Sequence, residues 1–256
     1  MSAAEARTRI RTGDFRGPTA GFAPDYVQAN LVIVPSDYAT DMRLFCERNP
    51  VPCPLIEQTN PGAFEVGVAL ESDLRIDLSG YRVWRDGTLV ERRRDIVDLW
   101  RDDFVAFLIG CSFSFEAALQ EAGLPVRHLD LQRNVPMYRT SLRLAPVGVF
   151  FGHMVVSMRP YRPDQVDAVR EVTRWFTSCH GEPIYWGDPA AIGIADLNKP
   201  DEGDAVPIAA DEIPVFWGCG VTPQAVAIEA KIPLVITHEP GHMFITDLEH
   251  DAIMRW

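Results

Sequence analysis

The chain of 256 residues lacks a basic excess: 24 Lys and Arg stand against 36 Asp and Glu, a net charge of −12. A nucleic-acid surface needs a basic face, so the sequence predicts no nucleic-acid partner. A local basic pocket for an acidic metabolite stays open. No uninterrupted apolar stretch reaches about 18 residues, so no spanning helix and no membrane partner are expected. There is no C-x-x-C pair among Cys46, Cys53, Cys111, Cys179 and Cys219, which argues against a zinc ribbon or a thioredoxin-type site. Neither G-x-x-x-x-G-K-[ST] nor a G-x-G-x-x-G after a strand occurs, so no nucleotide cofactor is indicated. Repeats of 20–50 residues and low-complexity tracts are absent. Met1 to Gly13 is charged and has no apolar core of a signal peptide. With an odd number of cysteines, this predicts a cytoplasmic protein with reduced thiols.

What is present is an ordinary globular composition, 47% apolar and 23% charged, in a chain long enough for a sizeable core. Ala3–Thr12 is predicted helical, with Gly13 as its stop. Leu31–Val34 reads as a buried strand ended by Pro35, and Ser36 as the N-cap of a helix to Arg48. Leu74–Val90 reads as short strands turning at Ser79-Gly80 and Asp86-Gly87, and Arg94–Asp103 as a helix. Phe104–Ile109 is too short for periodicity to separate strand from helix. Val135–Leu144 and His153–Met158 read as strands, Asp164–Thr177 as an amphipathic helix and Pro183–Trp186 as a strand. The last third alternates strand (Ile213–Trp217), helix (Thr222–Ala230) and strand (Leu234–Thr237). The pattern predicts an α/β fold, a mixed sheet flanked by helices, with an inserted smaller two-layer α+β region. The division is 1–127 plus 187–256 for the main domain and 128–186 for the insert.

One short pattern occurs twice. Gly110-Cys111-Ser112-Phe113-Ser114-Phe115-Glu116 and Gly218-Cys219-Gly220-Val221-Thr222-Pro223-Gln224 both read G-C-x-x-[ST]-x-[EQ]. Each follows an apolar run and leads toward a helix. Helix starts at Ser114 and Thr222 would present free N–H groups to a carboxylate, or be ordinary capped helices with buried cysteines. Glu116 would complement its helix dipole or act as a proton-transfer group. Thr237-His238-Glu239-Pro240-Gly241-His242 places two histidines in a turn, suited to a metal or to moving protons. Pro240-Gly241 argues against a helical H-E-x-x-H site. Arg159 could clamp a carboxylate or form a plain ion pair. His180-Gly181-Glu182-Pro183 is turn-rich and could line a pocket.

Together these segments resemble one family. The runs Gln28–Leu31, Asn49-Pro50 with Cys53-Pro54, Phe107–Glu116, Asn134–Tyr138, Val155–Pro160, His180-Gly181 with Pro183, Val215–Gln224 and Thr237–Met243 stand in the order of a hydro-lyase family similar to the N-terminal domain of eukaryotic D-glutamate cyclase. The match covers nearly the whole chain. G-C-S-F-S-F-E, V-V-S-M-R-P and G-C-G-V-T-P-Q are its specific parts. The chain departs from the family pattern at Gly218 and Glu239, where alanine is expected.

The resemblance implies a carbon–oxygen lyase and, through the cyclase, conversion of D-glutamate to 5-oxo-D-proline with loss of water. On that reading Glu116, Cys219, His238 and His242 are the catalytic candidates. Cys111, Ser112, Ser114, Arg159, Gly220, Thr222 and Gln224 would bind a small carboxylate-bearing substrate. A divalent metal is compatible with this chemistry, with ligands unknown, and a homo-oligomer is compatible with the sequence. Two other readings stand beside it. One is a cofactor-independent racemase exchanging a proton between Cys111 and Cys219. The other is a non-catalytic protein that binds an acidic metabolite.

Overall fold

The structure is a computed structural model that describes residues 1–250. It begins with α1 (Ala3–Thr12), β1 (Tyr26–Pro35), α2 (Ser36–Arg48), β2 (Leu55–Gln58), β3 (Tyr81–Arg85) and β4 (Thr88–Arg93). β5 (Phe104–Gly110), α3 (Glu116–Glu121), α4 (Arg127–Asp130), β6 (Met137–Arg143) and β7 (His153–Tyr161) follow. The chain continues with α5 (Val166–Thr173), β8 (Tyr185–Trp186), β9 (Ile213–Gly218), α6 (Thr222–Glu229), β10 (Val235–His238) and β11 (Phe244–Glu249).

The α/β class is as read from the sequence, built on two sheets. The larger has seven strands in the order β2-β5-β1-β10-β3-β4, with β11 also on β1. The smaller has the order β6-β7-β9-β8. All the strand pairs of both sheets are antiparallel among the described residues, where a mixed sheet was expected, because alternating strand and helix does not fix strand direction. The smaller sheet reaches past the 128–186 span, because β9 pairs with β7 from Ile213 to Gly218.

Strand periodicity explains the layers. Ala29, Leu31 and Ile33 of β1 join Ala106, Leu108 and Val83 on one face of the large sheet, beneath the segment that carries Leu74, Leu78 and Ile96. Val32, Val34, Phe107, Ile109 and Val235 line the other face, against α2 and α6. In the small sheet Tyr161, Val215 and Trp217 face α3 and α5, while Val156, Met158 and Phe216 face the segment that carries Ile192, Ile194 and Val206. Between the two sheets lies a cluster of Cys111, Phe113, Met137, Val155, Cys219 and Met243. No described helix is long and apolar enough to cross a membrane.

Several elements differ from the sequence reading. α1 and its left-handed Gly13 stop are as predicted, and Ser2 and Glu5 form a capping box. α2 has Pro35, not Ser36, at its cap. Phe104–Gly110 is a strand, buried along its whole length. Arg94–Asp103 holds only the 3-10 turn Val97–Leu99, because its apolar residues Ile96, Leu99 and Trp100 fold over the large sheet and do not share a helix face. The Asp164–Thr177 helix shrinks to α5, preceded by a 3-10 turn at Pro163–Gln165. β11 had no sequence signal strong enough to predict it.

Gly110 shows how tightly the sheets are joined to their connections. A methyl group there would lie 1.7 Å from the Ser178 carbonyl oxygen. Gly110→Ala is therefore expected to destabilise the fold by about 1–3 kcal/mol or more, as overpacking does. Urea denaturation of the variant against the parent protein checks this.

Candidate functional site

The first turn leaves β5 at Gly110, which pairs with Ala29 of β1. Cys111 is extended, and residues Ser112–Phe115 form a 3-10 turn before α3. Ser114 does not cap this helix. Its Oγ accepts a hydrogen bond from the Gln28 backbone N–H at 3.0 Å and so fastens the turn to β1. The second turn leaves β9 at Gly218. Thr222 does not cap α6 either, since Val221 holds the cap position. The Thr222 hydroxyl accepts from the Val155 N–H at 3.0 Å and donates to the Val155 carbonyl at 3.2 Å. Both hydroxyls close the gap between a turn and the neighbouring strand.

Asn30 connects the two turns. Its side-chain amide donates to the carbonyls of Ile109 at 3.2 Å and Gly110 at 2.9 Å. Gly220 packs against the same amide: a methyl on Gly220 would lie 2.0 Å from Asn30 Nδ2. Asn30 was not among the site residues proposed from the sequence, although it sits in the Gln28–Leu31 run that carries the resemblance. Its buried position in an apolar strand was the available signal, since a buried amide needs partners.

Glu116 opens α3 and is 2% exposed; Arg159, near the end of β7, is 0% exposed. The Arg159 guanidinium grips Glu116 Oε1 through Nε at 3.2 Å and through Nη2. It also donates to Ser157 Oγ at 3.2 Å and Ser112 Oγ at 3.1 Å. His128 Nε2 lies 3.0 Å from Glu116 Oε1. Burial by itself would raise the Glu116 pKa, but His128 and Arg159 hold it below the ordinary carboxylate value. Arg159 thus clamps a carboxylate, and that carboxylate belongs to the protein. His128 is a further member of this group that the sequence did not single out.

Cys111 and Cys219 share the cluster between the sheets, 6% and 7% exposed. Burial pushes the Cys111 thiol well up and the Cys219 thiol to about 11. His238 is completely buried at the point where β1 leaves β10 for β11. Its Nδ1 meets the Leu31 backbone, 3.1 Å from the N–H and 3.3 Å from the carbonyl oxygen. The Gln224 side-chain amide lies against the same ring, 3.2 Å from Nε2. Burial lowers the His238 pKa to about 3. His242 is less enclosed; its Nδ1 is 2.8 Å from Ser79 Oγ, and burial lowers its pKa too. His180 donates from Nδ1 to the Val51 carbonyl at 2.8 Å, and burial lowers its pKa to about 4. Glu239 pairs with Arg82 at 2.6 Å and with Arg92 at 3.4 Å.

A cleft of about 260 Å³ opens beside the second turn. Val155, Val221, Gln224 and Ala225 form one wall, and Arg82, Trp84, Arg139, Asp201 and Glu202 complete it. A broader groove of about 700 Å³ lies elsewhere, over His180, Glu182, Trp186 and Val51. The smaller cleft is the candidate site, because it is bounded by the second turn and by charged residues of both signs. Its Arg82 is set by β3, where Arg82 and Trp84 point to one face while Tyr81 and Val83 enter the core. Among the described residues no three His, Cys, Asp or Glu side chains are grouped to hold a metal.

Residues 105–247 match the pattern of the D-glutamate cyclase family. The chain is also 56% identical over 246 residues to a "Putative hydro-lyase" of Rubrobacter xylanophilus, covering 96% of this chain and 95% of that one. A protein of the same name from Stutzerimonas stutzeri is 54% identical, covering 99% and 96%, as is one from Geobacillus kaustophilus, covering 99% and 97%. The chain belongs to the D-glutamate cyclase family.

Two outcomes follow from the buried groups. Glu116→Ala leaves Arg159 buried without its main counter-charge, and an unfolding free energy lower by about 3–5 kcal/mol is expected. Glu116→Gln, which keeps an acceptor, should lose less; chemical denaturation of both variants measures the difference. His238 and His180 stay neutral in the fold down to about pH 3 and 4, against an ordinary 6.5. Between pH 6.5 and 4 the unfolded chain therefore binds more protons than the folded one. Stability falls as pH drops through this window, by up to about 1.4 kcal/mol per unit for each histidine. Unfolding curves at half-unit intervals should show this slope, and His238→Gln should reduce it.

Proposed function

We propose that the protein is a hydro-lyase for a small acidic metabolite, and that it interconverts D-glutamate and 5-oxo-D-proline with gain or loss of water. The observation that carries this reading is the cleft beside the second turn. It is too small for a nucleotide-sized ligand but suited to one amino acid, and it presents arginine and carboxylate side chains together. Family membership and the names of the relatives point to the same chemistry.

The reaction sets clear demands. The amine nitrogen of D-glutamate bonds to the side-chain carboxyl carbon, and one carboxyl oxygen departs. The ammonium gives up two protons and the departing oxygen takes two, so the net change is loss of one water. The site must therefore fix the two ends of the substrate at bonding distance and carry protons over a short path. Glu202, a carboxylate of the cleft wall, would pass these protons. Gln224 lines the same cleft and ties α6 to His238. Glu116 is held by Arg159 away from the residues that line the cleft, so its part in this reading is to fix the first turn and not to touch substrate.

The closeness of Cys111 and Cys219 favours the racemase reading as a second choice. Against it, burial raises both thiols, and proton exchange needs one of them ionised.

Incubation of the purified protein with D-glutamate, and separately with 5-oxo-D-proline, decides between these readings. Samples in deuterated buffer, stripped of metal or supplied with Mg²⁺, Mn²⁺ or Zn²⁺, are followed by chiral chromatography and mass. Interconversion is the expected result. Deuterium at the α-carbon without cyclisation would support the racemase, and binding with no chemistry would leave a metabolite-binding protein.

A further inference from the structure

We propose that the cleft reads both charges of an α-amino acid, with Arg82 and Arg139 receiving carboxylate and Glu202 receiving the ammonium group. This rests on the function proposed above and assigns the residues that select its substrate. Neither the paired turns nor the family motifs contain these three residues.

Arg82 is 9% exposed and stands in the wall of the cleft. Its Nη1 and Nη2 donate to the two Glu202 oxygens at 2.6 and 3.1 Å, and Nη2 also donates to Glu239 at 2.6 Å. Glu239 does not line the cleft and braces Arg82 from behind. The guanidinium is thus locked in direction, while its five N–H donors exceed the three bonds that hold it. Its buried Nε–H has no partner.

Glu202 is equally fixed. Met137 and Glu202 exchange backbone contacts, Met137 N–H to the Glu202 carbonyl at 2.9 Å and Glu202 N–H to the Met137 carbonyl at 3.3 Å. Gly203, with φ +77°, lies so close to Val135 that a methyl there would be 2.0 Å from its carbonyl oxygen. The strand edge therefore sets where the Glu202 carboxylate stands. Its side chain keeps 30% exposure, which leaves oxygen surface for a second cation. Arg139, tied to Glu229 at 2.6 Å, is half-exposed and lines the same cleft. Beside the charged groups the cleft has apolar lining from Val155, Val221, Ala225 and Ile228. A short methylene chain that carries charged ends fits such a lining.

Calorimetric titration with D-glutamate, glutarate and 5-oxo-D-proline tests the assignment on the full-length protein, with turnover assayed on the same samples. Glutarate keeps both carboxylates of D-glutamate and lacks the ammonium. Glu202→Gln should weaken D-glutamate by about tenfold or more, the loss expected for one charged hydrogen bond. It should change glutarate binding by less than about twofold. Arg139→Gln, at an exposed position where folding is not at stake, should weaken both ligands. Equal effects of Glu202→Gln on D-glutamate and glutarate, or no effect on either, would overturn the assignment, as would absence of binding by the parent protein. Turnover without ligand discrimination by Glu202 sinks this inference and leaves the proposed function standing. Discrimination without turnover does the reverse.

Discussion

Arg159 and Glu116 have lost all but a trace of contact with water, and they come from different halves of the molecule. Glu116 follows β5 of the large sheet through the first turn, and Arg159 lies within the small sheet. Two buried charges are costly to strip of water, and their attraction repays that cost only with good geometry and further hydrogen bonds. Those are present: Ser112 and Ser157 take up other guanidinium hydrogens, and His128 approaches the same carboxylate. The guanidinium also lies 5.2 and 5.3 Å from the ring centres of Phe115 and Trp217, where aromatic faces favour a cation. An ion pair of this kind fixes one relative placement of the two sheets, because any other leaves a bare charge in the core. The position of the first turn, and of everything built on it, follows from that bond.

The second joint is made by close approach. Asn30 reaches from β1 to both turns, binding the end of β5 while its amide packs against Gly220. A side chain at 220 would push the turns apart. The pair of turns that looks like an echo in the sequence is thus one structure in space. Each Ser or Thr in the repeat holds its turn to the next strand, Ser114 to β1 and Thr222 to β7. The repeated pattern marks the seam between the sheets, and the cleft opens at one end of that seam.

Much of this could be read in advance and some could not. Local signals sufficed for α1, with its Gly13 stop, for α2 and for the strand–turn–helix at 213–229. Phe104–Ile109 was ambiguous because so short a run, buried on both faces, shows no period. Arg94–Asp103 misled because its apolar residues answer to the sheet beneath them and not to a helix face. At the site, the turns and Arg159 were visible as motifs, but the partner of Arg159 was not. Glu116, 43 residues away, meets it only through the fold. Arg82 and Glu202 left no local trace, since their pairing joins positions 120 residues apart. The cap roles expected of Ser114 and Thr222 failed for a related reason: a neighbouring strand offered backbone groups that competed for the same hydroxyls.

β1 has an unusual share of partners. Along ten residues it pairs with β5 on one side and, in succession, with β10 and β11 on the other, His238 filling the step between them. Two of these three neighbours lie more than 200 residues further along the chain. β1 is synthesised long before β10 and β11, so this apolar strand must wait with one edge open until they emerge. Assembly of the large sheet is then a late event governed by long-range closure, which is slow and exposes sticky surface in the meantime.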